Sequence, residues 1–302
     1  MFFDRNWSVD DLPDMSGKVA IVTGGNTGIG KVTCLELVKK HATVYLAART
    51  KERAENALKD IKKEVTDAQI EWLPLDLLSL RQVSEAAGSF VKKEKKLNYL
   101  LNNAGIMATP YSETENGYEI QFGTNHMGPF LFTQKLLPML EATAEKEDVR
   151  IVNVSSTGHQ FAPSGGILFD NINMKDYNTW RRYGQSKLAN ILFAKELCKR
   201  YPKIKSYAVH PGNVTTGLTR SLASTYGALF DVAFYAMKMV AMIGPKDGAL
   251  ATLHCLSKEA DGQSGAYYTT YGKLATPSSY SRDPVLADTL YNWSLEQIKG
   301  RF

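Results

Sequence analysis

One segment constrains the fold more than any other. Val19-Ala20-Ile21-Val22-Thr23 is followed by Gly24-Gly25-Asn26-Thr27-Gly28-Ile29-Gly30 and then by an amphipathic stretch. The order reads as a buried strand, a glycine turn and the start of a helix. Gly24 permits a tight exit from the strand. Gly28 lets backbone approach a pyrophosphate, and Gly30 lets the helix pack closely on the sheet. The free N–H groups of the helix N-terminus, with the positive end of its dipole, favour phosphate. With Asn26, Thr27 and Ile29 these glycines form a candidate dinucleotide-binding turn.

The rest of the chain repeats the same alternation. Lys18–Thr23, Thr43–Ala48, Ile70–Leu75, Tyr99–Leu101, Arg150–Val154 and Lys205–Val209 read as strands. Their near-continuous apolar content predicts burial on both faces, as in a parallel sheet. Helical patterns fall between them, near Gly30–Lys40, Lys51–Glu64, Leu80–Lys93, Gly117–Glu141, Trp180–Arg200 and Asp247–Ser257. Strand-helix alternation predicts an α/β fold: a doubly wound parallel sheet of the Rossmann type, with helices on both faces. No linker or repeat interrupts residues 1–302, so a single domain is expected, with residues 1–15 as an N-terminal extension. Ligands of such sheets bind outside the carboxyl ends of the strands.

Bulk properties exclude several classes. A net charge of +5 is modest, and Lys92-Lys93-Glu94-Lys95-Lys96 reads as a solvated helix end rather than a nucleic-acid patch. Cys34, Cys198 and Cys255 lack metal-ligand spacing, and so do the histidines, His159 and His210 among them. No metal is therefore expected. The start, Met1-Phe2-Phe3-Asp4-Arg5, has no signal-type apolar core, which predicts a cytoplasmic chain. Ala228–Ile243 is apolar but would be only about 24 Å long as a helix, and it contains Asp231 and Lys238, so no transmembrane segment is expected.

Chemistry-bearing residues sit where strands end. Arg49 follows the second strand, where an NAD-selective site usually places an acid; its guanidinium suits a ribose 2′-phosphate and predicts NADP(H). Asp76 closes the third strand beside Leu77, either to bond an adenine amino group or to cap the next turn. Asn102-Asn103-Ala104-Gly105 follows the fourth strand, suiting a turn over the cofactor's ribose. Ser155 and Ser156 end the fifth, where a hydroxyl can hold a substrate oxygen. Tyr183 and Lys187 lie four apart on one helical face, and the ammonium, helped by a nicotinamide's positive charge, is expected to lower the phenol's pKa toward a working acid/base. Tyr201 and Lys205 share the interval, but Pro202 separates them and denies them a common face. Asn125 stands among apolar neighbours, with a structural role or a bound water as its two readings.

Together these pieces resemble the short-chain dehydrogenase/reductase family, in family order, from about Ser16 to Tyr268. The resemblance implies that Asn125, Ser156, Tyr183 and Lys187 are the catalytic tetrad and that Ser156, not Ser155, holds the carbonyl oxygen. It implies that Lys187 also binds the nicotinamide ribose and Asn125 a relay water. Asp76 then contacts adenine, and Pro211-Gly212-Asn213-Val214-Thr215-Thr216 grips the carboxamide through the Val214 backbone and the Thr216 hydroxyl. Asn125–Phe130 and Ser186–Asn190 resemble the retinol dehydrogenase and WW-domain oxidoreductase branch. The implied activity is hydride transfer between NADP(H) and an alcohol or carbonyl of a lipophilic small molecule, with a catalytically silent NADP(H)-binding regulator as the alternative. An insertion at about 157–179 should stand beside the active site, and a methionine-rich stretch at about 217–245 should act as a substrate lid. The apolar faces of the Gly117–Glu141 and Trp180–Arg200 helices offer surface for a homodimer or homotetramer.

Overall fold

Strands β1 (Val19–Thr23), β2 (Thr43–Ala48), β3 (Ile70–Pro74), β4 (Tyr99–Asn102), β5 (Arg150–Val154), β6 (Lys205–Val209), β7 (Tyr267–Thr269) and β8 (Lys273–Ala275) make one sheet. In the computed structural model, which describes residues 7–214 and 242–300, their order is β3-β2-β1-β4-β5-β6-β7-β8. The first seven run parallel and β8 returns antiparallel. The direction of winding reverses between β1 and β4. A crevice therefore opens above their carboxyl ends, where the first glycine turn and the Asn102–Gly105 turn meet.

Every residue of β1, β4 and β5 is buried, as a strand covered on both faces requires. β3 departs from that expectation. It is an edge strand, and its exposed Glu71 pairs with Lys93.

Helices α1 (Gly28–Lys39), α2 (Lys51–Glu64) and α6 (Pro245–His254) cover one face, where Ala20 and Val22 of β1 point. The other face carries α3 (Leu80–Lys93), α4 (Gly128–Ala144), α5 (Thr179–Arg200) and α7 (Pro284–Ile298), against Val19 and Ile21. The pattern expected from Gly117 to Glu141 is not one regular helix. Gly117 lies in a turn, and Ile120–Phe122 leads through a π-helical turn, Gly123–Met127, into α4.

Sequence patterning did not foresee β7, β8 or α7. Asp283 caps α7 by accepting from the Val285 and Leu286 amides, and Pro284 opens it. Its inner face, with Ala287, Leu290 and Tyr291, packs into the core formed by Phe130, Leu188 and Phe193. Part of the apolar surface offered for self-association is thus covered by the chain's own end. Tyr291 sits edge-on to Phe130 at 5.3 Å, under Arg200 at 4.1 Å, and accepts from Gln134 at 2.9 Å. Tyr291→Ala should cost about 3 kcal/mol in urea unfolding; a loss below roughly 1 kcal/mol would show that α7 is merely draped on the surface.

Thr216 and nearly all of the expected lid lie outside the described residues. The end of that stretch is described: Ile243 bridges Val214, and Gly244 leads into α6. Among the described residues, no helix is long and apolar enough to cross a membrane.

Candidate active site

The two turns at the crevice are locked together through Thr23. Its hydroxyl accepts from the Asn103 and Ala104 amides, both at 2.9 Å, and the Asn103 side chain donates to the Thr23 carbonyl at 2.7 Å. Gly24 and Gly28 have φ of +67° and +55°, a region that favours glycine. A side chain at Gly30 would strike the Gly24 carbonyl oxygen at 2.4 Å. Gly30 therefore fits its helix against the turn itself, more than against the sheet. Thr27 is the exposed, extended residue before α1, and its side chain caps none of the helix amides. Asn26 and Ile29 flank it, half-buried. An uncapped N-terminus beside two glycines in left-handed backbone is a cradle that fits a pyrophosphate.

Asn102 plays a different part from its neighbours. Its buried amide donates to Thr133 at 3.1 Å and to Asn153 at 3.0 Å, joining β4 to α4 and β5. At the other end of the crevice, Asp76 holds the next turn. One oxygen accepts from the Leu78 amide at 3.0 Å, and the other stands 3.9 Å from the Arg49 guanidinium. Arg49 is mostly exposed, and the buried Leu77 lies alongside. Pro211 and Val214 are buried after β6, and Gly212 takes φ +93° between Ile243 and Thr270. Val214 also packs on Gly248, as Ile29 does, so α6 links the Pro211–Val214 loop to the Gly24–Gly30 turn.

The four residues of the expected tetrad converge. Tyr183 and Lys187 are each 3% exposed, on the first turns of α5, with the ammonium 5.9 Å from the phenol ring centroid. Lys187 donates to the Val154 carbonyl at 3.0 Å, and burial lowers its pKa to about 8. Asn125, in the π-helical turn, accepts from the Ile106 amide at 2.8 Å and donates to the Ile106 carbonyl and the Ser186 hydroxyl. Such turns widen a helix and re-aim one residue, here toward the Asn102–Gly105 turn. A side chain at Gly105 would lie 3.0 Å from the Asn125 oxygen and 3.2 Å from the Lys187 nitrogen.

The two serines separate cleanly. Ser155 spends its hydroxyl on the Lys187 carbonyl at 2.7 Å. Ser156 caps the short turn Thr157–Phe161, accepting from the Gly158 amide at 3.0 Å, and its hydroxyl lies by the Tyr183 phenol.

The expected lowering of Tyr183 has two sources, the Lys187 ammonium and a bound nicotinamide's positive charge, and the ammonium alone does not produce it. Tyr183 is not lowered by the chain's own groups: burial pushes it up to about 12, and the Ser156 hydroxyl opposes this only in part. Desolvation of the phenolate outweighs an ammonium that is itself desolvated.

Gly158 escaped the sequence reading. A side chain there would meet the Tyr183 ring at 2.6 Å, so glycine makes the seat for that ring. Gly184 likewise lets α5 touch the Phe161 backbone, at 2.5 Å from an added carbon. The only hint in the sequence was their position, beside Ser156 and Tyr183. Residues 157–179 carry short turns at Thr157–Phe161 and Phe169–Asn171, the first of them beside Ser156 and Tyr183. Tyr201 and Lys205 fall just past the end of α5 and at the start of β6, without a common face.

Known proteins resemble the chain over most of its length. The family model for short chain dehydrogenase matches residues 18–227. A short-chain dehydrogenase/reductase of Aspergillus calidoustus is 41% identical, over 96% of this chain and 96% of that protein. Retinol dehydrogenase 11 of Mus musculus is 40% identical, over 94% of this chain and 87% of its own length. A crystal structure of an uncharacterised protein from Mycobacterium paratuberculosis superposes with a TM-score of 0.75 at 30% identity, covering 96% of this chain and 97% of that one. The chain belongs to the short-chain dehydrogenase/reductase family, near its retinol dehydrogenase branch, and is an oxidoreductase of that nucleotide-binding fold.

Proposed function

We propose that the protein is an NADP(H)-dependent oxidoreductase that interconverts an alcohol and a ketone or aldehyde on a lipophilic small molecule. The observation that carries this reading is the convergence of buried Tyr183, Lys187 and Asn125 with the half-buried Ser156, beyond the carboxyl ends of β4 and β5. When bound there, the nicotinamide coenzyme supplies or accepts the hydride. Gly24, Gly28, Gly30 and the α1 amides would hold its pyrophosphate, with Asp76 at the adenine and Lys187 at the nicotinamide ribose.

The chain's own groups manage the proton. In reduction the Tyr183 hydroxyl gives its proton to the substrate oxygen, and the Ser156 hydroxyl donates to the same oxygen as charge gathers there. Lys187 holds positive charge beside the phenol and eases its ionisation. Oxidation runs the same steps backwards. Asn125 keeps the Gly105 turn close to Lys187 and so fixes the ammonium's surroundings. The apolar substrate class is supported by Phe161, 53% exposed, edge-on to Trp180 at 6.3 Å beside the catalytic turn. Retinol dehydrogenase 11 is named for an apolar alcohol, which agrees in class.

A panel of aldehydes and ketones, followed by nicotinamide absorbance, tests the reaction. Long-chain or cyclic carbonyls should exceed sugars and hydroxy acids in kcat/KM by at least about tenfold. The reverse ranking would overturn the substrate class. Coenzyme choice rests on Arg49, with no acid at the end of β2. Arg49→Ala should weaken NADPH binding about tenfold or more and leave NADH nearly unchanged. Equal loss for both, or none, would remove the NADP(H) assignment.

A further inference from the structure

A buried histidine outside the tetrad joins the catalytic serine to the far end of the chain. His159 is 1% exposed. Its Nδ1 lies 2.6 Å from the Ser156 carbonyl oxygen, and its Nε2 accepts from the Ser278 amide at 3.1 Å. The Ser156 carbonyl is an acceptor and the Ser278 amide a donor, so one form of the ring satisfies both: neutral, with its proton on Nδ1. The Tyr267 ring closes over it edge-on at 5.4 Å.

The residues around Ser278 also hold the insertion. The Gly165 amide donates to the Tyr280 hydroxyl at 3.0 Å, and Gly166, at φ +78°, lies against Tyr280 and Leu286. Ser278 and Ser281 share a hydroxyl bond at 2.8 Å, which ties the segment to the entry of α7. The insertion that begins at Thr157 is therefore clamped at two points by residues more than a hundred positions later in the chain.

We propose that His159 is a positioning residue: locked as the Nδ1–H form, it ties the Ser156 backbone to the C-terminal segment at Ser278 and so sets where the Ser156 hydroxyl stands beside Tyr183. The catalytic consequence rests on the reading of Ser156 given above; the bridge itself does not. The imidazole takes no part in the proton transfer, because both of its nitrogens are engaged. Burial lowers its pKa and favours the neutral ring that the bridge requires.

Two readouts that need no substrate test the bridge. Nitrogen-15 NMR of histidine-labelled protein, with His159 assigned by its loss in His159→Asn, should show a protonated Nδ1 and a bare Nε2. A proton on Nε2 instead, or on both nitrogens at neutral pH, overturns the proposal. Amide exchange of Gly158, which donates to the Ser156 hydroxyl, should quicken about tenfold or more in His159→Leu and in Ser278→Pro, which deletes the distant donor. Unchanged exchange at Gly158 in a folded Ser278→Pro also overturns it. Asparagine at 159 keeps a donor near the Ser156 carbonyl and should restore slow exchange to within about threefold of wild type.

With nonanal and NADPH, His159→Leu should lower kcat about tenfold while the coenzyme Kd stays within about twofold, and His159→Asn should recover most of the rate. A fall in coenzyme affinity without a fall in kcat contradicts a positioning role. Failure of the wild type to reduce any carbonyl would sink the functional reading, yet leave the tautomer and exchange results to decide the bridge.

Discussion

Tyr183→Phe should lower kcat by about a thousandfold or more and leave NADPH affinity within about threefold of wild type. The substitution deletes one oxygen from a ring that is 3% exposed and seated on Gly158. The ring keeps its seat, Ser156 keeps the Gly158 amide, and the glycine turn is untouched. Fluorescence titration with NADPH and single-turnover rates separate the two effects. Retention of more than about a tenth of the rate would mean that another group gives the proton. His159 is a poor substitute, since both its nitrogens are bonded.

Lys187→Met should be nearly as damaging to turnover, about a hundredfold or more, and yet stabilise the fold at neutral pH. Among the described residues no carboxylate pairs with this ammonium, and burial lowers it from 10.5 to about 8. That difference corresponds to roughly 3 kcal/mol of stability lost to holding a buried charge. The sign follows from proton counts. Below about pH 8 both folded and unfolded chains keep the proton, and the cost is borne in full. Between about 8 and 10.5 the unfolded chain holds a proton that the folded one has released, so wild-type stability rises with pH. Methionine removes both the cost and the rise. The Val154 carbonyl remains bonded to Asn190 at 3.0 Å, which limits what the substitution loses. Urea midpoints for both proteins from pH 7 to 10 check this. A variant less stable at pH 7, with the same pH slope as wild type, would contradict it.

Much of this was legible in the chain because the informative contacts are local. The turn from Gly24 to Gly30 states its own geometry, and the four-residue interval of Tyr183 and Lys187 states their common face. Ser155 and Ser156 could not be separated by spacing alone; what separates them is the Lys187 carbonyl, which takes the Ser155 hydroxyl and leaves Ser156 beside the phenol. The share of the Tyr183 shift that the ammonium supplies was set too high for a related reason. A helical interval shows that an ammonium is near, but not that both groups are buried, and burial is the larger effect. β7 and β8 are three residues each, too short to show alternation, and exist because β6 and its neighbours offer them an edge. α7 announced itself through Asp283 and Pro284, a cap signal that went unread. Gly158 and His159 acquire meaning only when Tyr183, Ser156 and Ser278 are brought around them.

The proposed reaction needs the Tyr183 phenol to work as the acid/base once coenzyme is in place, although the chain alone holds it near 12. Ultraviolet difference titration of wild type against Tyr183→Phe, both saturated with NADP+, measures that ionisation directly. A tyrosinate signal is expected in wild type only, with its midpoint below the ordinary value of about 10. A midpoint still near 12, or no difference between the two proteins, would contradict it.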